Sequence, residues 1–348
     1  MMEWELVGLV LAGTYGVYLI LWNLSFPSLE TTKHSGREDS IDTIRGFAMT
    51  AIVIIHIHSY FAFFHPKDFI VTSITLFLSN ICRFSVPSFI FISAMFLNKK
   101  NGYWQSKLKN LFIPYFFASL FGYFLKYQSY SFTEFFKFLL LGKVFTPYYF
   151  VPLLIQFYIL FYFFSDLLKK SNFFWTFLTV SFLANLTSNL GFFDSYLPKE
   201  YHSISIFNYV FFFYLGLAWK DLKLKGKKED ILGFSVLFCI FIGITLTQSI
   251  QGIDLKNHHL FYPIWGMIFI SIFSKYLPSS IRMIAQYIGK RSLAIFLLHP
   301  FVIHLMHIFD PYVLGGPMVS YFLTLFLNLT IPLLIYKIIT SQMDKTLN

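Results

Sequence analysis

Three residues near the start of the chain have the types and spacing for chemistry. They are Asp42, Arg45 and His56, all within the stretch from Ile41 to Phe64, IDTIRGFAMTAIVIIHIHSYFAFF. Ten residues separate Arg45 from His56. On an α-helix a step of eleven, at about 100° per residue, returns almost to the starting face and covers roughly 16 Å along the axis. One face therefore presents a carboxylate and a guanidinium near one end and an imidazole far along it. Histidine holds and releases a proton near neutral pH, which suits activation of a hydroxyl. Arginine offers a planar fork that matches phosphate, and the first turn adds the positive end of the helix dipole. A long anionic molecule would fit along such a face.

The same stretch is mostly apolar and long enough to cross a bilayer, which takes roughly 20 residues. Ionisable groups at such depth are expensive, so function is the first explanation to weigh. Each residue also has a plainer reading. His56 fits a packing histidine bonded to a neighbouring helix; its depth and its alignment with Arg45 favour a general base in a water-reachable cavity. Two roles fit Arg45 equally, a phosphate holder and a topology anchor paired with Asp42 at i, i+3. His58 points elsewhere on the helix, makes a poor metal pair with His56, and reads as structural. Arg83, inside another apolar run, must face protein, water or a counter-charge, so a structural ion pair and a substrate or cofactor contact both fit. His299 lies deep in the run that begins near Arg291. His304 and His307 share a face, but no acidic residue is close, and no metal site is expected. His258 and His259 read as a solvated span boundary. No GxSxG, P-loop, GxGxxG or HExxH pattern occurs, which leaves a nucleophile elbow or a nucleotide-hydrolysing engine unsupported.

The elements that must position these groups follow from composition. Of 348 residues, 56% are apolar, 22% are aromatic and only 13% are charged. A soluble domain carries about a quarter charged residues. The expected fold class is therefore an all-α polytopic membrane protein. The net charge of +10 does not point to nucleic acid, because most lysines lie in short loops between apolar runs. The two cysteines, Cys82 and Cys239, lack metal-ligand spacing and read as small packing residues.

Apolar runs predict spans near 6–26, 41–64, 70–97, 110–125, 148–165, 173–190, 205–219, 231–249, 259–277, 291–309 and 318–340, about eleven transmembrane helices in all. The first follows Glu3 and Glu5 rather than a basic start, which argues for an uncleaved helix with its N-terminus outside. Alternating from there puts Lys33 and Arg37, Lys99 to Lys109, Lys169 and Lys170, Lys220 to Lys228, and Lys275 to Arg291 inside. Fewer cations, among them Lys67, Lys143, Lys199 and Lys256, fall outside. That bias supports an outside N-terminus and an inside C-terminus. Two segments are irregular. Residues 126–147 are too polar to span, but Phe132, Phe135, Phe136, Leu139 and Leu140 have helical spacing, which predicts a short helix on the outer surface. Residues 70–97, holding Arg83 and Pro87, predict a tilted or broken helix.

These residues resemble the acyltransferase-3 family of bacterial membrane acyltransferases. The family opens on an LDxxRGxA helix with a histidine downstream; here that is Ile41-Asp42-Thr43-Ile44-Arg45-Gly46-Phe47-Ala48, then His56. Arg83 to Ala94, RFSVPSFIFISA, resembles its RxxVPxFFxxSG block, and Lys107 to Tyr115, KLKNLFIPY, its basic loop and IPY. The runs YYFVPLLIQFYIL from Tyr148 and SLAIFLLHP from Ser292 are similar to two further blocks. The chain departs at Ala94, which stands for glycine, and at the loop of Lys107 and Lys109, where an RxxR pattern is usual. Lysine attracts phosphate as a point charge, without the fork. The helix over 6–26 is extra to the usual ten, so the chain divides into residues 1–40, an extra helix and cytoplasmic loop, and residues 41–348, the acyltransferase-like domain. The short chain, with FFKFLLLGK before the YYF block, is similar to the subgroup that modifies poly-N-acetylglucosamine in intercellular-adhesin systems.

The resemblance implies an O-acyltransferase of the bacterial cytoplasmic membrane. It would move an acetyl or succinyl group from cytoplasmic acyl-coenzyme A to hydroxyls of a cell-envelope polysaccharide. On this likeness His56, Arg45 and Asp42 are the catalytic group, and Arg45, Lys107, Lys109 and Arg83 hold the donor. Tyr149, Gln156 and His299 meet the acceptor. No permanently bound cofactor is expected; acetyl-CoA or succinyl-CoA is a substrate. The implied partners are the polysaccharide or a lipid-linked sugar, the bilayer and a polysaccharide synthase, with no nucleic acid. The rival reading is an exporter of the polysaccharide or its lipid-linked precursor. Such transporters show paired broken helices in two related halves, and the sequence carries no such internal symmetry.

Overall fold

The computed structural model describes residues 39–64, 69–99, 101–127, 131–218, 239, 242–257, 277–308 and 316–347. Among them every regular element is helical. The spans expected over 6–26 and 259–277 lie outside the described residues. Among the described residues, five helical segments are long and apolar enough to cross a membrane: Ile41–Phe63, Val71–Met95, Tyr103–Lys126, Thr146–Leu168 and Val319–Ile339. A sixth arises if Ser279–Lys290 and Ser292–Met306 are counted as one broken span. The chain divides into two compact units, the first built from 1–92, 219–292 and 312–325 and the second from 93–218, 293–311 and 326–348.

In the first unit, α1 (Asp39–Phe64) is one uninterrupted α-helix. It is followed by α2 (Phe69–Ile81), a 3-10 turn over Cys82–Phe84 and α3 (Ser85–Met95), which runs on into the second unit. The break falls within the segment expected to be irregular. Pro87 has no N–H to offer the Arg83 carbonyl, so the α ladder loses a bond there, and Ser85 N–H instead closes a tight turn on Cys82 O. Residues 242–250 form a helix that stops at Gly252, whose φ is 75°. The N–H of Ile253 bonds Gln248 O at 2.9 Å and that of Gly252 bonds Ser249 O at 3.1 Å, a Schellman end that satisfies two orphan carbonyls.

Further along, Ser279–Lys290 forms an amphipathic helix where charge suggested only a cytoplasmic loop. Its Ala285, Ile288 and Gly289 are buried at i, i+3, i+4 spacing and lie against α1. Both helices present glycine at this crossing. A Cβ on Gly46 would overlap the Ala285 carbonyl, and one on Gly289 would overlap the Asp42 carbonyl. The backbones therefore touch, as small residues allow in membrane helix pairs.

The second unit opens on a short helix, Tyr103–Lys107, which passes through a π-turn at Leu108–Phe112 into the helix Ile113–Lys126. Pro114 removes one α-type bond from this stretch. The surface helix expected between 126 and 147 is present as Phe132–Leu141, with Phe135 and Leu139 buried and Phe132, Phe136 and Leu140 exposed. It ends on Gly142, at φ 64°, where a Cβ would overlap the backbone of Tyr148 and Tyr149. That close approach seats the 3-10 turn Thr146–Tyr149 at the head of the long helix Phe150–Leu168. Phe174–Asn189 and Val210–Ala218 follow, joined by 3-10 turns, and then Ser292–Met306, whose Ser292 belongs to the first unit, and Pro317–Leu347, whose residues from 326 belong to the second unit. Of the two cysteines expected to pack, Cys82 is buried and Cys239 is exposed. Lipid rewards the same apolar side chains as a core does, so hydropathy alone does not tell the two apart.

Candidate functional site

The expected site residues fall into two sets. Asp42, Arg45, His56 and Arg83 belong to the first unit; Lys107, Lys109, Tyr149, Gln156 and His299 belong to the second.

Because α1 is continuous, Arg45 and His56 stand on one face, roughly 16 Å apart along the axis. Both are half-buried, and Ser59 and Phe63, further along that side, are exposed. That face is open beyond His56; between Arg45 and His56 it is closed by Met49 and Ile52, both buried. Around the helix from that face, Ile57 and Phe61 are buried. Phe61 meets Tyr321 at a ring distance of 5.7 Å. Asp42 is 0% exposed, with its carbonyl at the Gly289 contact. The glycine crossing therefore sets the position of the turn that carries both Asp42 and Arg45.

His58 is buried, and its Nδ1 lies 3.0 Å from Thr75 Oγ1. Thr75 donates its own proton to Thr72 O at 3.2 Å, so its hydroxyl accepts from His58 and the proton sits on Nδ1. This geometry matches the structural reading of His58.

Arg83 is bonded within its unit. Nη1 donates to Asn257 Oδ1 at 2.9 Å, and Nη2 forms an ion pair with Asp254 Oδ1. The ion-pair reading of Arg83 accordingly has a named partner, and a donor contact would have to share the guanidinium with Asp254 and Asn257. The segment 253–257 is further held by Asn80. Its amide nitrogen donates to Ser249 Oγ and Ile253 O, each at 3.0 Å, and its Oδ1 accepts from Leu255 N–H at 2.9 Å. Sequence reasoning missed Asn80, Asp254 and Asn257. The one available signal was the i, i+3 spacing of Asn80 and Arg83 in an apolar run.

In the second unit, Lys107 is half-buried with its ammonium 4.1 Å from the Tyr158 ring and 5.5 Å from the Tyr103 ring. Lys99 lies 4.7 Å from the Tyr162 ring and Lys169 4.9 Å from the Phe161 ring. These cations rest on aromatic faces, and of the three only Lys107 is partly buried. Lys109 is exposed within the π-turn, a distortion often found at functional sites. Tyr149 is half-buried beside Tyr148, whose hydroxyl donates to Leu297 O at 2.6 Å. Gln156 spends its amide nitrogen on Ile204 O at 2.9 Å, holding the turn Lys199–Ile204. His299 is fully buried; its Nδ1 faces Ile295 O at 2.9 Å and so carries the proton.

On the surface of this unit, Lys137 pairs with Glu200 at 2.9 Å, with Lys143 at 4.0 Å from the same carboxylate. The Lys137 bond holds the Glu200 carboxyl below its usual range and raises the Lys137 ammonium.

A family model described as an acyltransferase domain matches residues 38–337. Comparison with curated proteins and with solved structures finds no match.

Proposed function

The chain belongs to the acyltransferase-3 family and is a membrane acyltransferase, and from that premise we propose that it moves an acetyl or succinyl group from acyl-coenzyme A to a sugar hydroxyl of a cell-envelope polysaccharide in the bacterial cytoplasmic membrane. The observation that carries this reading is the pair Arg45 and His56, both half-buried on one face of the unbroken helix α1.

Arg45 holds donor phosphate through its fork. His56 accepts the proton of the acceptor hydroxyl as its oxygen attacks the thioester carbonyl carbon. The C–O bond forms, the C–S bond breaks, and the imidazolium returns the proton to the departing thiolate. The products are an ester and free coenzyme A. The intercellular-adhesin likeness suggests poly-N-acetylglucosamine as the glycan.

Purified protein in lipid nanodiscs, given radiolabelled acetyl- or succinyl-coenzyme A and candidate glycans, should yield an esterified glycan. His56→Ala should remain inserted, since one small cavity costs only a few kcal/mol. Transfer should fall about 100-fold or more, the scale of general-base catalysis. Near-normal transfer by well-inserted His56→Ala protein would remove the centre of this mechanism.

A further inference from the structure

The segment 253–257 is tied down more tightly than a connecting loop needs, yet its acidic residue is open. Asn80, fully buried, makes three bonds to the stretch from Ser249 to Leu255. The Arg83 side chain is 9% exposed, whereas that of Asp254 is 59% exposed. A carboxylate held by arginine usually engages both oxygens in a fork. Here the guanidinium divides its donors between Asp254 Oδ1 and Asn257 Oδ1. Asp254 Oδ2 accepts no hydrogen bond from any described residue. Arg83 Nε is a buried donor with no partner among the described residues. Such a group calls for a ligand oxygen or an ordered water.

The balance of charge narrows the ligand. Arg83 and Asp254 cancel, so the pair has no net charge to attract a phosphate or a metal ion. Lys256 adds one cation beside it, and Leu255 between the two is buried. What remains is an oriented, exposed acceptor at Asp254. An uncharged hydroxyl donates to such a carboxylate oxygen without needing a net charge at the site. The place is also suitable. The 3-10 turn that carries Arg83 packs against α1, and the Arg83–Asp254 pair is within electrostatic range of His58, two residues from His56.

We propose that Asp254, oriented by Arg83 and Asn257 and exposed through its second carboxylate oxygen, seats the acceptor sugar by accepting hydrogen bonds from its hydroxyls. The inference rests on the sugar-acceptor reading above and assigns that reading a binding group; Asp254 makes no bond and moves no proton.

Two measurements on the full-length protein in nanodiscs test it. In the transfer assay, Asp254→Asn should raise the acceptor KM about tenfold, the scale of a lost charge-assisted hydrogen bond, with donor KM unchanged. Asp254→Glu should recover part of the loss, because it keeps the charge. Asn80→Ala, which loosens the segment without touching the carboxylate, should lower Tm and raise the acceptor KM by less than Asp254→Asn does. An Asp254→Asn protein whose acceptor KM is unchanged, or whose two KM values rise together, would make Asp254 a structural pin only. Calorimetric binding of an N-acetylglucosamine pentamer needs no acyl transfer and so stands apart from the reaction. Binding by wild type that is lost in Asp254→Asn supports the seat even if no acyl transfer is found. Equal binding by both proteins, or none by wild type, overturns it.

Discussion

Gly289→Ala should impair transfer although Gly289 lies on a different helix from Arg45 and His56. The added methyl would overlap the carbonyl oxygen and carbon of Asp42, and these are backbone atoms with no rotamer to yield. To restore ordinary contact near 3.5–4.0 Å, the two helices must separate by roughly 1 Å or more. Overpacking of this kind costs about 1–3 kcal/mol, against which alanine regains up to about 1 kcal/mol of helix propensity. A net loss of about 1–2 kcal/mol follows, seen as a fall of a few degrees in Tm. The larger effect is on geometry. Asp42 and Arg45 ride on the displaced turn, and a 1 Å misplacement of a reacting group costs about 100-fold in rate. Gly243→Ala is the control, since its Cβ would meet nothing within 4 Å, and both Tm and rate should hold or improve slightly. Gly46→Ala should resemble Gly289→Ala. The double variant should cost less than the sum, because one methyl already parts the helices. Thermal unfolding and transfer kinetics on the four proteins decide the matter. A Gly289→Ala protein with wild-type rate and Tm would show that the crossing does not position α1.

Arg45→Lys should raise the donor KM while leaving expression and acceptor KM near wild type, because lysine keeps the charge and loses the fork; unchanged donor affinity with collapsed expression would make Arg45 an anchor. Single cysteines at Lys199 and Lys169 should react with an impermeant reagent from outside and from inside respectively, and the reverse pattern would invert the orientation read from the loop cations. The Glu200–Lys137 bond should show only a small, salt-sensitive effect on Tm, as exposed ion pairs do. Glu200 is depressed on folding, so its contribution is present above the ordinary glutamate range and disappears as pH falls through the lower folded value. Lys137 is raised, so its share is present below the ordinary lysine range and is lost as pH rises through the higher folded value. Comparing Tm of wild type and Glu200→Gln at pH 7 and at pH 3 checks this, the difference shrinking at the lower pH.

What the sequence determined by itself was local. Apolar runs and few charges specify a membrane chain of helices, because a lipid interior leaves the backbone no other way to satisfy its polar groups. The helix period places Arg45 and His56 on one face with no knowledge of neighbours, since a spacing of eleven is a property of one helix. The same holds for the surface helix read from Phe132, Phe135 and Leu139, and for the break near Pro87, where a missing N–H acts within its own ladder. Tertiary structure decided what each buried polar group does. Arg83 finds Asp254 and Asn257 across 171 and 174 positions, and no periodicity records such a pairing. Gln156, expected to meet substrate, also holds the Ile204 carbonyl through its amide nitrogen, a partner that only the fold brings to it. Gly46 was visible in the RG motif, but its use was not, because the reason lies in Ala285 of another helix. A glycine's missing side chain leaves no trace until a second backbone occupies the space, and here that backbone sets the position of the turn that carries Arg45.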